Sequence, residues 1–242
     1  MPKVVLITGA SSGIGAATAR AVVARGWNAI LFARSEGKLG ALADELGDGD
    51  VLVTPGDVTV SDDLNKAIAQ GTERFGKIDA VFANAGKFGF DDLVHDDPDE
   101  WASMVDVNIN GVMRTVRAAL PGMVERKAGQ IVLTASIAGR AVYPNSAVYA
   151  GTKHFLYGWA VGLRKQVSQH GISVGIISPG YVLNELWGET PGSENQLAQV
   201  NDSMALTSED IADAVAYMLD KPAHVNIADM LVLATKQDVP GY

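Results

Sequence analysis

A chain of 242 residues, 48% hydrophobic and only 19% charged, has the apolar surface for a large core and the opposite composition to a disordered segment. With 19 Lys and Arg against 28 Asp and Glu the net charge is −9, and no basic cluster stands out, so a nucleic-acid partner is not expected. The absence of cysteine excludes disulfides, thiolate metal sites, iron–sulfur clusters and cysteine nucleophiles.

The length suits one α/β domain, here 1–242. Met1-Pro2-Lys3 runs straight into a short apolar stretch, and no run of about 18 apolar residues follows. A cytoplasmic protein without membrane association is the expectation.

In chain order, short β-branched runs begin at Val4–Ile7, Ala29–Phe32, Val51–Val53, Ala80–Phe82, Ile131–Leu133, Val174–Ile177 and Met230–Leu233. Each is continuously apolar rather than alternating, as parallel strands covered on both faces require, and the segments between are long enough for helical crossovers. The fold expected is a doubly wound parallel sheet of seven strands with helices on both faces. Helix starts are read at Ser61, at Asp97-Pro98, at Asn145-Ser146 and at Thr207, whose capping-box partner is Asp210. The irregular stretch 181–201 is expected to form an active-site lid.

Glycines fill the turn after the first strand, Thr8-Gly9-Ala10-Ser11-Ser12-Gly13-Ile14-Gly15, and an Ala-rich helix follows. Gly9 permits the tight turn, Gly13 close approach of backbone to pyrophosphate, and Gly15 close helix packing. The free N–H groups and positive end of the helix attract phosphate, and Ser11 and Ser12 add hydroxyl donors. Tyr149 and Lys153 are four residues apart and share a helix face. An ammonium beside a phenol, whose ordinary pKa is about 10, favours the phenolate and brings it nearer working pH as a general acid/base. Ser136 ends the fifth strand, where such sheets bind ligands, and its hydroxyl can bond the same substrate oxygen.

The glycine turn, Asp57, Asn84-Ala85-Gly86, Asn108-x-x-Gly111, Ser136, Tyr149 with Lys153, and Pro179-Gly180, in this order, resemble the short-chain dehydrogenase/reductase family along nearly the whole chain. The resemblance implies a Rossmann-like fold and an NAD(P)-dependent oxidoreductase that interconverts a secondary alcohol and a ketone. It implies that Tyr149 is the catalytic acid/base, that Ser136 orients the substrate oxygen, that Lys153 binds the nicotinamide ribose and lowers the tyrosine pKa, and that Asn108 holds a proton-relay water. It places Gly9, Ser11, Ser12, Gly13, Ile14 and Gly15 at the cofactor phosphates, Asp57 and Val58 at the adenine, and Asn84, Ala85 and Gly86 along the cofactor. Pro179, Gly180, Val182 and Asn184 are expected beside the nicotinamide. Asn184 stands where relatives usually have Thr, Ala83 where they have Asn, and Ala135 where they have Ser.

At the end of the second strand, Ala33 replaces the Asp usual in NAD-dependent relatives, and Arg34 and Ser35 follow. Loss of the carboxylate and gain of a cation favour NADP, with NAD possible. Segments such as Phe82–Gly86 and Asp97–Trp101 are most similar to ribitol-type polyol dehydrogenases and, next, to NADP-dependent 3-hydroxy-acid dehydrogenases. The substrate reading is therefore a polyol or sugar, with a hydroxy acid or another carbonyl compound as alternatives, and a non-catalytic nicotinamide-binding regulator as the rival from another class. Phe155, Trp159, Gly162 and Gln166 lie on a helix face turned away from Tyr149. With the family's habit of pairing this helix, they imply a homotetramer, or a dimer.

His95, His154, His170 and His224 lack metal-ligand spacing, so no metal site is expected. The acidic run Asp91–Glu100 reads as a solvated loop and helix start, and no Gly-x-Ser-x-Gly nucleophile turn occurs.

Overall fold

The computed structural model describes residues 1–47, 49–185 and 194–239. The seven strands are β1 (Val4–Thr8), β2 (Asn28–Ala33), β3 (Val51–Pro55), β4 (Ala80–Ala83), β5 (Gly129–Thr134), β6 (Ile172–Pro179) and β7 (Asp229–Val232). They form one parallel sheet in the order β3-β2-β1-β4-β5-β6-β7, so every expected strand is present. In register, Leu6 faces Ile30 on β2 and Val81 on β4.

The helices are α1 (Gly13–Val23), α2 (Glu36–Leu46), α3 (Ser61–Phe75), α4 (Pro98–Val105), α5 (Val112–Arg126), α6 (Ala147–Val167), α7 (Glu194–Asn201) and α8 (Ser208–Leu219). Side chains alternate across a strand, which explains why β1 is apolar at successive positions. Val4 and Leu6 join the core under α3, α5 and α6, with Leu64, Met123 and Leu156. Val5 and Ile7 join the opposite core under α1, α2 and α8, with Val22, Leu39 and Ile211. Each large aliphatic side chain so buried contributes roughly 1.5–3 kcal/mol.

The chain leaves β1 towards β2 on one side and returns at β4 on the other. That reversal opens a crevice at the carboxyl ends of the central strands, the place where doubly wound sheets take their ligands. No helix among the described residues is long and apolar enough to cross a membrane.

Two helix starts follow the local signals. Asp97 accepts from the Asp99 amide at 3.0 Å with Pro98 as first helical residue, and Thr207 and Asp210 cap each other reciprocally. Two do not. Ser61 is the first residue of α3, and Val60 holds the cap position. Ser146 caps α6 by position only, because its hydroxyl donates to the Tyr143 carbonyl at 2.9 Å. The distant Asp91 carboxylate instead accepts from the Val148 amide at 2.8 Å. Of the stretch expected as a lid, 181–201, residues 186–193, Trp187 included, lie outside the described residues. The expected irregularity does not extend to its end, where α7 is helical.

Candidate active site

Strand ends β1, β2, β4, β5 and β6 converge on one cleft of about 950 Å³, at the upper end of the range for ligand sites. Its first wall is the glycine turn. Gly9 has φ +68°, and a Cβ there would stand 3.0 Å from the Ala85 Cα. At Gly15 a Cβ would lie 2.1 Å from the Gly9 carbonyl oxygen, so only glycine lets α1 begin this close to β1. Gly9, Ser11, Ser12, Gly13 and Ile14 line the cleft, whereas Gly15 serves the packing behind it rather than the wall. Ser12 makes no side-chain cap to α1, leaving the first amides of that helix to a ligand. A Cβ-free cradle with open amide donors fits the pyrophosphate of the cofactor that the sequence implies.

The turn is tied to its neighbours. The Thr8 hydroxyl accepts from the Asn84 and Ala85 amides at 3.0 and 3.1 Å, and the Asn84 side chain donates to the Thr8 carbonyl and accepts from Thr134. Asn84 thereby holds the ends of β1, β4 and β5 together, while Asn84, Ala85 and Gly86 line the cleft. Asp57 and Val58 line it too, with the Asp57 carboxylate bonded to the Thr59 amide and hydroxyl at 2.9 and 2.8 Å.

At the far end, Arg34 and Ser35 line the cleft and are joined by Lys38 on the first turn of α2. Among the described residues neither Arg34 nor Lys38 enters an ion pair. Lys38 was not picked out from the sequence. A second cation four residues beyond Arg34 was the available signal.

At the near end the carboxyl end of β5 delivers Ser136 and α6 delivers Tyr149 and Lys153. Ser136 starts the tight turn Ile137–Gly139, its hydroxyl accepting from the Ala138 amide at 3.1 Å and lying near enough to Tyr149 to favour its ionised form. Lys153 donates to the Thr134 carbonyl at 2.8 Å and lies 5.5 Å from the centre of the Tyr149 ring. All three side chains are buried yet line the cleft. The Ser136 turn packs directly on α6: a Cβ at Gly139 would meet Tyr157 at 2.6 Å and the Lys153 carbonyl at 2.9 Å. Arg140 then donates to the Tyr157 hydroxyl at 2.7 Å and pairs with Asp229, while Tyr157 bonds Ser178 at 2.6 Å. This network joins the Ser136 turn, α6, β6 and β7, and it was not legible in the sequence.

Burial dominates the ionisation of the pair. It pushes the Tyr149 hydroxyl up to about 12, with the Ser136 hydrogen bond opposing, and the Lys153 ammonium down to about 8. The net shift of the tyrosine is thus set by burial. Loss of hydration penalises both charged forms, and Lys153 gives a hydrogen bond to the Thr134 carbonyl.

Asn108 lies one layer further in. It sits in a widened π-helical turn, Asp106–Gly111, between α4 and α5, and it is fully buried behind the wall. Its side chain accepts from the Lys87 amide at 2.7 Å, donates to the Lys87 carbonyl at 2.8 Å, and reaches Thr152 at 3.2 Å. It thus clamps the segment after Gly86 against α6. Pro179, Gly180, Val182 and Asn184 line the cleft opposite. Their turn is held by the Gly180 amide donating to Val232 at 2.8 Å and the Tyr181 amide donating to Gln237 at 3.0 Å. Gln237 comes from the C-terminal tail, far beyond any local motif.

A family model described as short chain dehydrogenase matches residues 3–195. An uncharacterized oxidoreductase of Staphylococcus aureus (strain MW2) is 36% identical over 230 residues, covering 95% of this chain and 96% of that protein. An alcohol dehydrogenase from the archaeon Thermococcus sibiricus, solved with 5-hydroxy-NADP, superposes with a TM-score of 0.90 at 29% identity over the full length of both chains. The closed form of a serine dehydrogenase with NADP+ superposes at 0.88 with 31% identity, covering 99% of this chain and 98% of that one. Sequence agreement thus runs through the same segments that build the cleft, and the chain belongs to the short-chain dehydrogenase/reductase family of nicotinamide-dependent oxidoreductases.

Proposed function

We propose that the protein interconverts a secondary alcohol and a ketone by hydride transfer, with Tyr149 exchanging the hydroxyl proton. The convergence of Ser136, Tyr149 and Lys153 at the strand ends, beside an open helix N-terminus, carries this reading. When bound, the nicotinamide supplies the hydride acceptor or donor. Ser136 and Tyr149 present two hydroxyls to one substrate oxygen. Held up at about 12, Tyr149 is a phenol at neutral pH, the form that gives a proton to a carbonyl oxygen. Lys153 supports a sugar hydroxyl of the cofactor, and Asn108 keeps the Lys87 backbone in place beside it. Absorbance of reduced nicotinamide, followed across polyols, hydroxy acids and simple ketones with both cofactors, tests the reading. Absence of turnover throughout that panel would leave the regulator in its place.

NADP is the proposed cofactor. Ala33, Arg34, Ser35 and Lys38 give the ribose end two cations and no carboxylate, and both solved relatives carry NADP-type ligands. Charge-assisted contacts of about 1.5–3 kcal/mol each correspond to roughly a 10- to 100-fold preference. We expect higher kcat/KM with NADP(H), reversed by Ala33→Asp with Arg34→Ile. Equal efficiency with NAD(H) in the unaltered protein contradicts it.

We also propose a homotetramer that uses the outer face of α6. Phe155 and Trp159 stack there with centroids 6.4 Å apart, Phe155 is exposed, and Gly162 has open space above it. Light scattering at micromolar concentration should give four chains, and Phe155→Arg should dissociate them. A monomer in the unaltered protein rejects this assembly.

A further inference from the structure

We propose that the substrate end of the cleft selects a neutral secondary alcohol or ketone with an apolar substituent, aryl or branched alkyl, which packs on Phe88 and extends to Phe90 at the rim. This rests on the hydride-transfer reading and narrows its substrate away from the polyols and hydroxy acids suggested by sequence resemblance.

Phe88 lines the cleft. Its ring meets Tyr149 edge-on at 4.9 Å and Phe90 edge-on at 5.0 Å, so a continuous aromatic surface runs from the reacting phenol outwards. Met104, Ala138 and Val148 complete the apolar surroundings of Tyr149. In the same loop Phe90 is 72% exposed, Leu93 57% and Val94 81%. The loop is pinned where these side chains stand: the Asp91 amide donates to the Asn145 carbonyl at 2.9 Å, and the Asp91 carboxylate caps α6 at Val148. Phe90 touches Phe88 beside the cleft, and an exposed apolar surface in that position is the one expected to receive an apolar ligand group.

Among the described residues, the Lys87 and Asn108 side chains nearby are already engaged. The Lys87 ammonium bonds Glu100 at 3.0 Å and Ser103 at 3.2 Å, and the Asn108 side chain is taken by the Lys87 backbone. Additional hydroxyls of a polyol would be desolvated against Phe88 without partners, which is unfavourable. A hydroxy acid needs a cation for its carboxylate. Lys153 is bonded to Thr134, Lys87 to Glu100, and Arg140 to Asp229 and Tyr157.

The test is a kcat/KM series with NADP+ over 2-alkanols of rising length, 1-phenylethanol, a pentitol and 3-hydroxybutyrate. A buried methylene contributes about 0.8 kcal/mol, so each added methylene should raise kcat/KM about fourfold until the wall is covered. 1-Phenylethanol should exceed the pentitol and the hydroxy acid by about 100-fold or more, and Phe90→Ala should lower its ratio to 2-propanol at least fivefold. Calorimetric binding of the same compounds to the Tyr149→Phe protein gives a readout without turnover and should follow the same order. A flat series, or a pentitol or hydroxy acid equal to 1-phenylethanol, overturns the proposal. So does Phe90→Ala that leaves the ratio unchanged but alters the molecular mass in solution, which would make the rim a contact between copies. If no compound is oxidised with either cofactor, hydride transfer itself fails, while the binding order still reports on the wall.

Discussion

Tyr149→Phe is expected to lower kcat/KM by about 10²- to 10⁴-fold, the contribution usual for a positioned general acid/base, while cofactor affinity stays within about threefold. The substitution removes the transferable proton but keeps the ring that packs on Phe88 and Met104, so the fold should persist. Ser136→Ala should be nearly as damaging, because Ser136 lies beside the Tyr149 hydroxyl and offers the second contact to the same substrate oxygen. The two losses should not add, since the hydroxyls act as a unit. Steady-state rates together with fluorescence titration of reduced cofactor decide the matter. Retention of more than about a tenth of the activity by Tyr149→Phe would falsify the acid/base assignment.

Lys153→Met should destroy activity and at the same time stabilise the protein. Burial lowers the Lys153 pKa from 10.5 to about 8, which corresponds to a penalty on the order of 3 kcal/mol for holding the charged form in the fold. Loss of the bond to the Thr134 carbonyl offsets part of that gain, by about 1–2 kcal/mol. A net gain of about 1–2 kcal/mol should raise Tm by about 2–6 °C in a domain of this size.

The pH dependence has a definite sign. Below pH 8 the amine is charged in both folded and unfolded chains, so the penalty is complete. Between about 8 and 10.5 only the unfolded chain holds the proton, and wild-type stability gains with rising pH. The Tm advantage of Lys153→Met should therefore be largest below pH 8, cross zero between about pH 9 and 10, where the shrinking penalty equals the lost hydrogen bond, and reverse above that. Tyr149, whose pKa is raised from 10.0 to about 12, acts in the opposite sense and removes stability between those values, equally in both proteins. A variant less stable than wild type at pH 7 contradicts the buried-charge argument.

The strands were legible because their apolar runs are long enough to need cover on both faces, and the Thr207–Asp210 and Asp97–Pro98 starts because their bonds close within three residues. The start of α6 falls where Asn145-Ser146 marks it, but its capping bond is not legible, for the converse reason. Its capping acceptor, Asp91, lies 57 residues away in sequence, and no local pattern encodes it. Lys38 is marked only by its spacing of four residues from Arg34, which gains meaning once the start of α2 turns towards the cleft, and Gln237 by nothing local, because its partner, Tyr181, is brought near only when the C-terminal segment folds back.

What the sequence by itself determined is the chemistry at short range: a glycine turn that only glycine can make, hydroxyl and amine groups four residues apart on one helix face, and seven strands marked by continuous apolar runs. Only the tertiary structure decided how those groups ionise and where they stand. Desolvation and long-range hydrogen bonds depend on which atoms surround a side chain, not on its neighbours in sequence. Tyr149 is therefore a high-pKa phenol against Phe88, Lys153 a weakened ammonium on Thr134, and Asn108 a buried clamp on Lys87 rather than part of the cleft wall.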